Sequence, residues 1–123
     1  MLWRKALIYK ESVAVALIIL YASLIRAPHF HMPHVAFADK WSHMVAYAVL
    51  GAVLAWNLIK DKHKGLWIWL LGLGLPIVYG GVIEILQGAF FAPRTADWMD
   101  WLADIVGTVI GTGLVAGIWQ ARN

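Results

Sequence analysis

Five of the seven acidic residues fall into three short groups, each with polar company at helical spacing. Asp39, Lys40, His43 and Tyr47 form the first, Glu84 and Gln87 the second, and Asp97, Asp100 and Asp104, behind Arg94, the third. Steps of three, four and seven residues put the members of a group on one face of a helix. An imidazole among carboxylates supports general acid–base work, for which Glu84, Asp100 and His43 are the candidates. The same types could hold a divalent cation, with His43, Glu84, Asp100 and Asp104 as ligands and magnesium, manganese, calcium or zinc as the ion. With Lys40 and Arg94 gripping phosphate, Asp39, Lys40, His43, Tyr47, Glu84, Gln87, Arg94, Asp97, Asp100 and Asp104 together suit an anionic or sugar-bearing headgroup. An ion or proton path is a further option. The bland alternative is that Lys40 and Arg94 pair with the acids and fix helix register. Two cations do not neutralise five acids, however, so protonation, a bound cation, water or charged histidines must make up the difference.

Several chemistries are excluded. There is no cysteine, hence no disulfide, thiolate metal site or cysteine nucleophile. The chain carries no phosphate-cradling glycine loop with its lysine, no G-x-S-x-G elbow and no H-E-x-x-H pair. No particular reaction is specified, and a divalent cation is the one cofactor the residues suggest.

The elements that must position these groups are long and apolar. Hydrophobic residues make up 62% of the 123 and charged residues 14%, against about 45–50% and about 25% in soluble domains. Such a chain is solvated by lipid. The pattern predicts an all-α integral membrane bundle of four transmembrane helices, over about 7–25, 39–59, 66–86 and 98–119, in a single domain covering 1–123. Arg26 occupies the place of a small-residue cleavage site, which argues against a signal peptide. Pro28 and Pro33 break the first connection, and His29, His31 and His34 between them read as a solvated loop, as does His63 among lysines. Eight tryptophans fit anchors at the two bilayer interfaces. Trp98 and Trp101 flank the third acidic group, where they could also stack on a sugar.

Charge is sorted by side. Arg4, Lys5, Lys10, Lys60, Lys62, Lys64 and Arg122 fall at the termini and second connection; only Arg26, Lys40 and Arg94 fall on the other side. The positive-inside rule therefore puts both termini in the cytoplasm and all three polar groups at the outer end. The net charge of +3 thus reports orientation and predicts no nucleic-acid partner. Gly107, Gly111, Gly113 and Gly117 form two G-x-x-x-G steps, which suit close helix packing and a homo-oligomer.

In their order, Asp39-Lys40-x-x-His43-x-x-x-Tyr47, Glu84-x-x-Gln87 and Pro93-Arg94-x-x-Asp97-x-x-Asp100 before a glycine-rich span resemble the VanZ-like family of small bacterial membrane proteins. The likeness covers roughly residues 37–111. Asp104 stands where that family often has asparagine. The resemblance implies a multi-pass protein of the bacterial cytoplasmic (inner) membrane. Its founding member is associated with low-level teicoplanin resistance, and the family name supplies no reaction. The expectation is a cell-envelope protein whose outward polar site engages a lipid-linked or wall-derived ligand. The alternatives are a scaffold with a paired-ion core and a small ion or solute transporter working as an oligomer.

Overall fold

The computed structural model describes residues 2–25, 38–90 and 98–122. All described elements are helices: α1 (Leu2–Ile8), α2 (Lys10–Ile25), α3 (Ala38–Lys60), α4 (Gly65–Phe90) and α5 (Trp98–Arg122). Three of them are long and apolar enough to cross a membrane, over Trp41–Lys60, Gly65–Ala89 and Trp98–Arg122. These are the last three expected spans, with the third extended beyond Leu86. The first differs. A turn at Tyr9 separates α1 from α2, and α2 alone has 16 residues, a rise of about 24 Å against a hydrocarbon core of about 30 Å.

Polarity is distributed as lipid demands. Large apolar side chains lie exposed along every long helix, among them Leu17, Ile18, Val45, Leu75, Val78, Leu114 and Ile118. In water such a surface would aggregate. The buried set meanwhile includes Ser12, Asn57, Glu84, Gln87, Asp104, Thr108 and Thr112. Hydrocarbon cannot satisfy hydrogen-bonding groups, so they turn inward, and Ser12, Asn57, Gln87, Asp104 and Thr112 bond across helices.

The parallel pair α3 and α5 makes the most extensive contact in the bundle. Glycine permits it. A Cβ on Gly107 would stand 2.1 Å from the Met44 carbonyl oxygen, and one on Gly111 would stand 1.9 Å from that of Ala48. This first G-x-x-x-G step is thus occupied within the chain, against α3. The second step is different: Gly117 has nothing within 4 Å and Gly113 only the Trp69 ring at 4.0 Å.

Helix α4 contains Pro76. Proline has no N–H, so the Gly72 carbonyl four residues back lacks its helical donor. Thr112 of α5 replaces it, its hydroxyl donating to Gly72 O at 2.8 Å. Gly51 and Gly72 leave room for Thr112, since a Cβ on either would fall 2.6 or 2.8 Å from its side chain. Helix α2 is tied to α4 by two donors: Tyr79 to the Ala16 carbonyl, and Gln87 Nε2 to the Ser23 carbonyl at 2.7 Å. Helix α3 ends in a Schellman turn, with Lys62 N–H bonding Ile59 O at 3.0 Å and His63 N–H bonding Leu58 O at 3.2 Å. Lys62 takes the left-handed position, φ 63°, that glycine usually fills.

Candidate functional site

The alternating direction of α3, α4 and α5 brings the first turns of α3, the last turns of α4 and the first turns of α5 to the same end. Three of the expected site residues meet there. One ligand atom from each of His43, Glu84 and Asp104 lies within 4.8 Å of the other two. His43 Nδ1 donates to Asp104 Oδ1 at 2.8 Å, which orients the ring and directs Nε2 toward Asp100 Oδ2, 3.6 Å away. The site therefore has depth. The Asp104 carboxylate is 2% exposed and Glu84 is 1% exposed, whereas His43 and Asp100 retain 14% and 15%. The imidazole and Asp100 form the mouth, with Glu84 and Asp104 beneath them.

Close backbone packing sets this geometry. Asp104 precedes Gly107 by three residues and His43 precedes Met44, so the Gly107–Met44 approach also draws these two side chains together. On α4, Gly80 leaves the space that Asp104 fills: a Cβ there would stand 2.7 Å from Asp104 Oδ2 and 3.3 Å from the Tyr47 ring. Tyr47 is buried beside this carboxylate at the base of the site. Thr108, one turn below, turns its hydroxyl to the Asp104 backbone carbonyl at 2.7 Å. None of Gly80, Thr108 and Thr112 stands out in the sequence as a site residue; the adjacent glycines Gly80 and Gly81 were the available signal.

Other expected members go elsewhere. Gln87 shares a helix face with Glu84, yet its amide reaches α2. Trp101 donates Nε1 to the Ile77 carbonyl at 2.8 Å, over the gap left by Gly81, and meets Trp98 edge to face at 5.9 Å. Its indole is a tie between α5 and α4. Asp39 and Lys40 open α3, but their side chains lie outside the described residues, as do Arg26, His29, His31, His34, Arg94 and Asp97.

The arrangement offers an oriented imidazole, two buried carboxylates and a third at the mouth. Such a set can hold a cation, relay a proton or accept hydrogen bonds from a polar headgroup. Comparison with protein-family models, with curated proteins and with solved structures gives no match to this chain.

Proposed function

We propose that this chain is a VanZ-like cell-envelope protein that engages a lipid-linked or wall-derived ligand through the His43–Glu84–Asp104 site. The convergence of these three side chains from three helices carries the proposal. Ionisable groups inside a membrane bundle are expensive and normally have a task, and here two buried carboxylates meet a partly exposed imidazole. In this reading the protein sits in the bacterial cytoplasmic membrane with four spans, both termini cytoplasmic and the site facing the outer leaflet. The fourth span is α1 and α2 together. Tyr9 N–H to Lys5 O closes α1 and Val13 N–H to Tyr9 O opens α2, both at 3.0 Å, and the expected first span at about 7–25 runs across this turn. Lys40, in the first turn of α3, and Arg94, in the connection before α5, supply positive charge for a phosphate.

The test is binding of a polyprenyl-pyrophosphate-linked wall precursor to the purified full chain in lipid nanodiscs. Wild type should bind saturably, and Glu84→Gln and Asp100→Asn should each bind at least tenfold more weakly at equal folded protein. Absence of binding by wild type, or equal binding by both variants, refutes the proposal.

A further inference from the structure

We propose that His43, Glu84 and Asp104 hold one divalent first-row transition-metal ion, zinc or manganese. This deepens the proposed function, since it concerns the same site, but it rests on the donor set and its geometry.

The donors are one imidazole nitrogen and two carboxylates, each from a different helix and each within 4.8 Å of the others. Metal bonds of about 2.0–2.2 Å place neighbouring ligand atoms roughly 3–3.5 Å apart, so small side-chain movements close the shell. One pair, His43 Nδ1 and Asp104 Oδ1, stands at 2.8 Å as a hydrogen bond, and release of its proton would leave both atoms free to bind the ion. The mixture of nitrogen and oxygen selects the ion. Calcium and magnesium favour all-oxygen shells, whereas imidazole with carboxylate suits zinc, manganese or ferrous iron. Manganese and zinc need no redox partner.

The surroundings fit a built site. Gly80 makes room for the Asp104 carboxylate where a side chain would expel it. Tyr47, buried beside them, closes the base. Three protein ligands leave coordination positions open, as in sites that exchange a ligand, and the slightly exposed His43 and Asp100 put the opening on their side. There the ion would present positive charge to a phosphate or hydroxyl oxygen of a headgroup, which the three carboxylates alone would repel.

The experiment uses the full chain in detergent, stripped with chelator and equilibrated with zinc chloride or manganese chloride alone. One ion per chain should survive desalting, and the thermal midpoint should rise with metal concentration. Glu84→Gln and Asp104→Asn should weaken binding at least tenfold, while a variant with His29, His31 and His34 all changed to alanine should keep its ion. No retained ion, retention by both site variants, or loss in the triple-histidine variant overturns the proposal. Where a site variant does not fold, manganese bound to wild type decides by electron-spin-echo spectroscopy: coupling to one imidazole nitrogen supports the site, and coupling to none or several overturns it. No lipid ligand is present, so failure of metal binding leaves headgroup binding standing, and failure of headgroup binding by the metal-loaded protein refutes only the proposed function.

Discussion

The two ends of the bundle use polar residues in opposite ways. At the Asn57 end, charges are matched and shallow. Lys5 Nζ donates to both oxygens of Asp61 at 2.7 and 2.8 Å, and the Tyr9 hydroxyl adds a third bond at 2.7 Å. Beneath them Asn57, fully buried, accepts from the Ser12 hydroxyl at 2.6 Å and from the Ser12 N–H at 3.3 Å, while its own amide donates to Glu11 at 3.3 Å. Ser12 lies in the first turn of α2, where backbone N–H groups have no helical partner. Asn57 caps it from another helix. This end is a latch. At the His43 end, two carboxylates are buried almost completely and a third stands close by, around one imidazole. Burying like charges together weakens a fold, and proteins keep such arrangements at sites that bind or react. The contrast separates polar residues that hold the helices from those the helices hold.

The largest effect should come from breaking the packing on which the His43 end depends. Gly111→Leu should abolish the folded bundle, and Gly111→Ala should cost about 3 kcal/mol or more, because the added carbon meets backbone. Gly117→Ala on the same helix, with open space around it, should be neutral or stabilising by up to about 1 kcal/mol. Thermal unfolding in detergent measures both, and equal effects would refute the assignment of the first glycine step to α3.

The next effect sets latch against site. Asn57→Ala leaves Ser12 donors buried without an acceptor and should cost about 1–3 kcal/mol. Glu84→Gln removes a buried ionisable group and should leave the thermal midpoint unchanged or raise it. Comparable losses in both variants would make the His43 end a structural ion cluster.

Between the ends, Thr112→Val should cost about 1–2 kcal/mol by leaving the Gly72 carbonyl without a donor. Pro76→Ala restores the helical N–H, so in that background the Thr112→Val penalty should fall by at least half. A double-mutant cycle reads this coupling, and strict additivity would contradict it.

Two smaller effects sharpen the picture of the latch. Lys62→Gly relieves a left-handed lysine and should stabilise by about 1 kcal/mol. Asp61 has its carboxyl held below the ordinary 3.8, first by hydrogen bonding from Lys5, then from Tyr9. The unfolded chain therefore takes up this proton before the folded one does. The stabilisation is complete above that ordinary value and is lost as pH falls below it through the lowered folded value. Asp61→Asn should flatten this acid limb of the midpoint-against-pH curve, by a small amount because Lys5 is exposed. An unchanged acid limb would show that the latch draws nothing from this ion pair.

The site was legible in part. Helical spacing predicted that His43, Glu84 and Asp104 lie on definite faces, and alternating spans put them at one depth. Both hold in the structure. Spacing failed for Gln87, which shares the Glu84 face but bonds α2, because a face spans a wide arc that two neighbours can divide. For Gly107 and Gly111 the glycine step signals close approach without naming its partner, which the structure shows to be α3. Asn57 and Thr112 gave no sequence signal at all: their meaning lies in donors and acceptors left open on other helices.

The sequence by itself determined that this chain is helical and apolar enough for membrane, where its last three spans lie, and at which end its acids gather. Those properties are local, fixed by hydropathy over one helix length and by the 3.6-residue turn. Only the tertiary structure decided which acids share a site, which glycines seat α3 against α5, and which hydroxyl answers Pro76. These are matters of rotation and separation between helices. In a membrane they are set by shape and hydrogen bonding between helix surfaces, which no single stretch of sequence contains.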